Sequence, residues 1–232
     1  MAEELYTSGQ YLEENPAWHT YESPWKIAHI LPMLKKHKLE PRTVCEVGCG
    51  AGEVLRLLQG HLDADATLWG YDISPQAFEM CKERANERLH FKLADFRREQ
   101  DTPFFDLLMV LDVIEHVEDY FSFLRDLKPR SQYKLFLIPL EISVQGVLRG
   151  KIFIQNRNRY GHLHHFTKET ALRSVEDLGY TVLDYAYAPE YEMESKVWQT
   201  NLMKLPRRIC FACNQDLAVR ILGGCRILIL AQ

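Results

Sequence analysis

The chain has 232 residues, of which 47% are hydrophobic, and it carries a formal net charge of −4. This length fits one large α/β domain with a sizeable core, and the acidic balance argues against general nucleic-acid binding. No apolar run approaches the length of a membrane span, the first residues are too acidic and polar for a signal peptide, and the six cysteines suit a reducing compartment as free thiols. We therefore expect a cytoplasmic protein without a transmembrane segment.

The first 23 residues are rich in aromatic side chains, namely Tyr6, Tyr11, Trp18 and Tyr21. Long segments of this kind are usually functional lids or disordered, and the aromatic content argues against disorder. We predict a lid over a ligand, with an arm packed against the domain as the alternative. A helical pattern then begins at Pro24 and ends in the basic residues 35–38, which suit a helix C-terminus.

Residues 44–52 read Val-Cys-Glu-Val-Gly-Cys-Gly-Ala-Gly, and a helical pattern begins at Glu53. A buried strand, a glycine turn and a helix N-terminus in this order form the layout of a nucleotide site. A dinucleotide motif would need glycine at position 53, a phosphate loop would need a lysine after the glycines, and Glu46 would repel a pyrophosphate. S-adenosylmethionine (SAM), which is cationic and has no phosphate, fits this pattern. A glycine-rich turn without a ligand is the alternative.

Three further apolar segments are predicted as strands, and each ends in an acidic residue: Asp72, Asp95 and Asp112. Asp72 lies where a carboxylate can accept hydrogen bonds from both ribose hydroxyls, and Asp95 is placed to accept one from the adenine amine. An acidic residue after a strand often only caps a helix, but Ser74 followed by Pro75 suits that local role. Three such acids after a glycine turn therefore favour a binding site.

The second half of the chain continues the alternation of strands and helices. We predict a fifth strand at 133–138, an irregular, polar and basic stretch at 139–166, a helix between Thr167 and Gly179, a sixth strand at 180–187, a helical insert at 190–224 and a last strand at 226–231. Ligands of open α/β sheets bind at the carboxyl ends of the strands. We expect residues 1–23, 139–166 and 190–215 to fold over that edge.

These motifs resemble those of the class I SAM-dependent methyltransferases, in the broad small-molecule group related to the ubiquinone-biosynthesis O-methyltransferases. The resemblance covers roughly residues 40–185 and rests on residues 46–52, 71–74, 93–95, 111–117 and 161–167. It implies a Rossmann-like, doubly wound sheet of seven strands, mostly parallel with an antiparallel last strand, together with an aromatic N-terminal lid and helical inserts. It also implies SAM as the cofactor and S-adenosylhomocysteine as its product.

We expect one domain over residues 1–232, in which a lid and helix (1–40) precede a SAM-binding core (41–138) and a substrate-side half (139–232). Within it, a single set of residues at the ends of the first four strands is predicted to bind the cofactor. These residues are Glu46, Gly48, Cys49, Gly50, Gly52, Asp72, Ile73, Asp95, Phe96, Leu111 and Asp112.

Four histidines are candidates for a general base, which methyl transfer needs only if an acceptor hydroxyl must lose its proton: His116, His162, His164 and His165. Each taken alone has a purely structural role as its alternative. We predict that His165 is catalytic, since it lies on an irregular loop just before a capped helix. His116 is the second candidate.

No metal is predicted. By resemblance, Asp112, Glu115 and His116 match positions that can hold a divalent metal in the ubiquinone O-methyltransferases, but an acidic cluster at a helix start needs none. Cys210 and Cys213 have the spacing of half a zinc site, and no second pair of ligands follows. We expect these two cysteines to pack on a helix.

The predicted function is therefore SAM-dependent methylation of a small molecule, most simply at oxygen. One alternative is a protein or larger anionic acceptor, which Arg149, Lys151, Arg157 and Arg159 would bind. Another is a non-catalytic SAM-binding protein. The insert at 190–224 is predicted to face a partner subunit as in a homodimer, a membrane surface, or the core of its own domain.

Overall fold

The computed structural model describes residues 2–193 and 198–232 and contains one seven-stranded sheet. Each strand is formed by an apolar stretch of the sequence. Their bounds are β1 Thr43–Val47, β2 Thr67–Asp72, β3 Leu89–Leu93, β4 Phe105–Leu111, β5 Ser131–Pro139, β6 Val182–Pro189 and β7 Cys225–Ala231. All seven predicted strands are present, and their ends lie within two residues of the predicted ones.

The strands lie in the order β3-β2-β1-β4-β5-β7-β6. The first five run parallel, whereas β7 is antiparallel to both of its neighbours. The predicted Rossmann-like sheet with an antiparallel last strand is thereby confirmed. Because the order reverses between β1 and β4, a crevice opens beyond the carboxyl ends of these two strands.

Eleven α-helices are assigned in the described residues. They are α1 Ala2–Thr7, α2 Gln10–Glu14, α3 Ser23–Lys36, α4 Glu53–Gln59, α5 Pro75–Cys81, α6 Tyr120–Leu127, α7 Val144–Arg149, α8 Ile152–Tyr160, α9 Lys168–Glu176, α10 Trp198–Cys213 and α11 Gln215–Leu222. Both faces of the sheet are covered. One buried cluster contains Ile30 of α3 and Leu55 of α4. The other contains Phe123 of α6 and Val175 of α9.

Local capping signals in the sequence are confirmed. Ser74 accepts a hydrogen bond from the Ala77 amide and stands before Pro75 at the start of α5. Thr167 caps α9, where its hydroxyl and that of Thr170 exchange hydrogen bonds with each other's backbone amides.

The stretch 139–166 is not irregular as predicted, because it contains α7 and α8. Ser143 caps α7 by accepting a hydrogen bond from the Gly146 amide, a signal present in the sequence. Gly150, with φ of 66°, separates the two helices and interrupts the helical pattern. Cys210 and Cys213 do lie on a helix, but both are exposed, so the predicted packing of these cysteines is wrong. Among the described helices, none has the length and apolar character to cross a membrane.

Candidate functional site

The glycine loop after β1 is tied to the end of β2 by hydrogen bonds. The amides of Gly48 and Cys49 donate to the Tyr71 carbonyl at 2.8 and 3.1 Å. The Asp72 carboxylate accepts from the amides of Gly50 at 2.7 Å and Ser74 at 2.8 Å. Burial raises the pKa of Asp72, while these amide donors act in the opposite direction. Asp72 therefore shapes the loop even without a ligand.

Two of the loop glycines have no space for a side chain. Gly48 and Gly50 have φ of 75° and 53°, in the left-handed region. A Cβ on Gly48 would lie 2.5 Å from Val113, and a Cβ on Gly50 would lie 2.7 Å from the Trp18 ring. Trp18 thus lies directly on the loop, as predicted for an aromatic lid.

Glu46 is an ionisable group buried behind the same loop. It is 2% exposed, and burial raises its pKa to about 8, with Lys26 acting in the opposite direction. One of its carboxylate oxygens has no hydrogen-bond partner among the described residues. An unpaired buried acceptor is costly, so this position suits a ligand that brings a positive charge.

Two adjoining cavities open at the carboxyl edge of the sheet. The strand-end cavity, of about 370 Å³, is lined by predicted cofactor residues that follow β1 to β4: Gly48, Asp72, Ile73, Asp95, Phe96 and Asp112. The histidine cavity, of about 400 Å³, is lined by the predicted residues Glu46, Gly48, Cys49, Gly50, Leu111, Asp112 and His116. Gly52 lines neither cavity; it precedes α4, and a Cβ there would lie 2.5 Å from Phe91.

Aromatic residues of the N-terminal segment lie where the two cavities adjoin. Tyr11 and Trp18 line both, and Tyr6 lines the strand-end cavity. The rings of Tyr11 and Trp18 are in contact, with centroids 4.9 Å apart. Tyr21, in contrast, is 65% exposed and lines neither cavity.

Asp95 lies at the rim of the strand-end cavity with cationic neighbours. Its carboxylate accepts hydrogen bonds from the Arg97 guanidinium at 2.8 and 3.1 Å. Burial opposes ionisation, but these bonds outweigh it and hold the pKa of Asp95 below its usual range. Phe96 is buried beneath and packs on Tyr71, with ring centroids 4.8 Å apart.

Asp112 has φ of 56°, a strained conformation for a residue with a side chain, and it lies at the centre of a buried ionic network. Lys26 lies 2.7 Å from one carboxylate oxygen, and Arg226 lies 3.0 Å from the other. Arg226 also pairs with Glu22 at 2.8 Å and lies 3.8 Å from Glu190. The network joins the N-terminal segment, β4 and β7 beside both cavities.

A second polar cluster is centred on Glu141, which follows β5. The His162 ring lies 2.7 Å from one Glu141 oxygen, and the His165 ring bonds the other. Burial opposes protonation of His162, but Glu141 outweighs it and raises the pKa of His162. His162 lines the histidine cavity, whereas His165 lies behind Glu141 and lines neither cavity. His164 has a structural contact instead, with the Val117 carbonyl at 3.0 Å.

The other predicted catalytic residue, His116, lines both cavities. The Tyr6 hydroxyl donates to the Tyr160 carbonyl at 2.6 Å and lies 2.8 Å from His116 Nδ1. Since the hydroxyl has one proton, His116 Nδ1 must donate to the Tyr6 oxygen, which leaves Nε2 as an acceptor. Burial and the neighbouring His162 lower the pKa of His116 to about 3, so its ring is neutral.

Glu115, His116 and His162 have ligand atoms within 4.8 Å of one another, a set that could hold a metal ion. Glu115 is buried, and burial followed by the charge of Asp112 raises its pKa to about 8. A neutral carboxyl group is a poor metal ligand until it loses its proton. Asp112, which the sequence grouped with this set, is instead paired with Lys26 and Arg226.

Several residues of the site could not be singled out in the sequence. Glu22, Lys26, Glu141, Tyr160, Glu190 and Arg226 all line the histidine cavity. They come from five separate segments of the chain, and none belongs to a motif. Arg226 alone had a signal in the sequence, because an arginine at the start of an apolar strand needs a partner for its buried charge.

A family model described as a methyltransferase domain matches residues 18–185. No curated protein matches the sequence. Among solved structures, the chain is similar to the methyltransferase domain of a bacterial Hen1 protein, CtHen1, with 18% identity, a TM-score of 0.59, and coverage of 90% of this chain and 97% of that one.

Two other similar structures contain S-adenosylhomocysteine. Magnesium protoporphyrin IX methyltransferase from Synechocystis PCC 6803 has 15% identity and a TM-score of 0.60, covering 89% of this chain and 82% of that one. The N-methyltransferase NodS from Bradyrhizobium japonicum WM9 has 15% identity and a TM-score of 0.57, covering 90% and 87%. At this identity the likeness concerns the fold.

Proposed function

The chain belongs to the methyltransferase-domain family, and on that premise we propose that it transfers a methyl group from SAM to the hydroxyl oxygen of a small-molecule acceptor. The observation that supports this most is the pair of adjoining cavities at the carboxyl edge of the sheet. The strand-end cavity suits an adenosyl group, and the histidine cavity is lined by His116 and His162. When bound, SAM supplies an activated methyl group on a sulfonium sulfur.

The residues of the glycine loop fit SAM. Gly48 and Gly50 carry no side chains of their own that would block a ligand, and both line the histidine cavity. Asp72 and Asp95 offer carboxylate oxygens in the strand-end cavity for ribose hydroxyls and the adenine amine. Glu46 offers its unpaired buried oxygen to a positive charge, and a cation would favour its ionised form.

The histidine cavity would hold the acceptor. Displacement of the methyl group needs the acceptor oxygen in line with sulfur and carbon, so orientation by the cavity walls supplies much of the effect, up to about 7–11 kcal/mol. As the oxygen–carbon bond forms, the hydroxyl proton passes to a ring nitrogen of His162, and the carbon–sulfur electron pair stays on sulfur. Glu141 stabilises the resulting imidazolium because its carboxylate contacts that ring.

His165 and His116 have supporting roles in this proposal. His165 acts as a positioning residue, because it holds the Glu141 carboxylate that contacts His162. His116 lines the same cavity with Nε2 left without a proton by Tyr6, so it can accept a hydrogen bond from a second donor group of the acceptor, since the reacting hydroxyl gives its one proton to His162. Neither role requires a metal.

Incubation with methyl-labelled SAM and a library of small hydroxylated metabolites tests the proposal. Label should appear in a methyl ether, at a rate that a chelator leaves unchanged. Transfer only to nitrogen, to carbon or to protein would contradict the acceptor class. Loss of transfer with a chelator and recovery with magnesium would assign the Glu115, His116 and His162 cluster to a metal.

A further inference from the structure

Helix α10 presents an apolar stripe to solvent. Four large apolar side chains are spaced four, three and four residues apart, which places them on one face of the helix. They are Trp198, 68% exposed, Leu202 and Leu205, each 66%, and Ile209, 56%. Among the side chains of α10 that are described, none is buried. A surface helix usually turns such a stripe toward its own core, so this stripe faces something outside the domain.

Hydrogen bonds attach the opposite face of α10 to the rest of the domain. Arg207 donates to the Gly223 carbonyl at 3.0 Å and to the Gln145 side chain of α7 at 3.1 Å. Lys204 donates to the Met193 carbonyl at 2.7 Å. Because these bonds fix the rotation of α10, the stripe cannot turn inward without breaking them.

Two further helices of the same half of the chain also expose apolar side chains. Helix α7, joined to α10 through Gln145, exposes Val144 at 52%, Val147 at 58% and Leu148 at 83%. Helix α8, which follows α7 after two residues, adds Ile154 at 60%. We call α7, α8 and the stripe of α10 the docking surface.

The docking surface is also the most basic part of an acidic protein. Residues 142–167 contain Arg149, Lys151, Arg157 and Arg159 without one acidic residue, although the whole chain has a net charge of −4. Helix α10 has no acidic residue and adds Arg208, whereas its Lys204 and Arg207 are bonded to the domain on the other face. Within the described ranges 2–193 and 198–232, ion pairs are absent for Arg149, Lys151, Arg157, Arg159 and Arg208. Their charge is therefore available to an anionic partner.

We infer that the docking surface binds a membrane whose lipids carry anionic headgroups. Apolar side chains beside unpaired basic ones are the features that let a helix lie in the membrane interface. A second copy of the chain is a poorer occupant, because a two-fold dimer would place the same basic patch against itself. Docking would bring the histidine cavity close to the membrane, since α10 contacts the turn 190–192 and Glu190 lines that cavity.

Co-sedimentation with vesicles tests this inference with the full chain. We expect binding to an equal mixture of phosphatidylglycerol and phosphatidylcholine, little binding to phosphatidylcholine alone, and weaker binding as salt increases. The double variant Leu202→Ser/Leu205→Ser should bind at least tenfold more weakly, and Arg208→Gln about fivefold more weakly. Phe104→Ser is the matched control, since Phe104 is 62% exposed but lies at the amino end of β4.

Thermal melts and SAM titrations show whether each variant is folded, and they separate this inference from the proposed function. Leu148→Ser, on α7, replaces the double variant if that protein does not fold. No binding of the wild type to the anionic vesicles would overturn the inference, and so would a folded stripe variant that binds as the wild type does. Light scattering that shows a dimer dissociated by the stripe substitutions would assign the surface to a second copy instead.

Discussion

The two cavities differ in how the chain builds them. The strand-end cavity is formed mainly by residues that directly follow β1 to β4, so its wall depends on short loops fixed by a parallel sheet. The histidine cavity instead takes its outer wall from residues 11–26, 139–162 and 190–226. The cofactor residues after β1 to β4 are therefore positioned by short local loops, whereas the proposed acceptor cavity depends on long-range packing.

The largest expected effect concerns the ionic network around Arg226, which lines the histidine cavity and reaches the strand-end cavity through Asp112. Arg226→Met would leave Glu22, Asp112 and Glu190 without their common buried cation. Removal of one partner of a buried ion pair costs about 3–5 kcal/mol. Urea unfolding should show a loss of that size.

Arg173→Met is the matched control for Arg226→Met. Arg173 pairs with Asp177 at 2.9 Å, but its side chain is 71% exposed, so the change should cost less than about 1 kcal/mol. Equal effects of the two substitutions would show that the network does not hold the cavities together.

Substitutions of two histidines, His162 and His165, separate acceptor chemistry from cofactor binding. His162→Ala and His165→Ala should each lower turnover roughly a hundredfold, because one removes the proposed base and the other the group that positions Glu141. SAM affinity should stay near that of the wild type. His61→Ala, an exposed histidine outside both cavities, should change neither quantity.

The pattern of losses decides between roles for the two histidines. If His165→Ala reduces thermal stability and SAM binding together, His165 supports the fold. Wild-type turnover in a stable His165→Ala protein would contradict its role, and the pH profile would then assign the proton transfer to His162 or to His116.

Asp72→Ala should instead weaken cofactor binding. Loss of a charged acceptor typically costs about 1.5–3 kcal/mol, so SAM affinity should fall at least tenfold. Asp72 also holds the amides of Gly50 and Ser74, which adds a stability loss visible in a thermal melt. Asp65→Ala, on an exposed loop, is the control. A folded Asp72→Ala protein with unchanged SAM affinity would remove Asp72 from the cofactor site.

The smallest expected effect is a pH dependence of stability from Glu46. Its pKa in the folded protein is about 8, above the ordinary value of 4.5. Between those values the unfolded chain loses the proton that the folded protein keeps, so stability without ligand should fall as the pH rises from 6.5 to 8. Glu46→Gln should make urea midpoints less dependent on pH over that range. An unchanged slope would show that Glu46 is already ionised.

The fold was largely predictable from sequence because each strand is a separate apolar segment and its capping residues are local. Ser74 and Thr167 act on backbone amides three residues away, so spacing is enough to find them. The glycines at 48 and 50 stand out by their own spacing, although the side chains that crowd them, Val113 and Trp18, are distant in sequence. The helices α7 and α8 were not predicted, because polar and basic residues surround a central glycine there and few apolar positions face inward.

The histidine cavity could be predicted only in part. The histidine-rich loop stood out, but no local signal indicated that Glu141, which follows β5, contacts both His162 and His165. Likewise, two partners of Arg226, Glu22 and Asp112, lie more than a hundred residues away along the chain, and such pairings depend on how the whole sheet is covered.

Isothermal titration of the wild-type protein with SAM and with S-adenosylhomocysteine tests the assignment of the site to this cofactor. We expect one site per chain with micromolar affinity for each ligand, because the strand-end cavity, the glycine loop and Glu46 are all in place before the ligand arrives. No heat of binding, in protein that melts cooperatively, would contradict the assignment of this site to SAM.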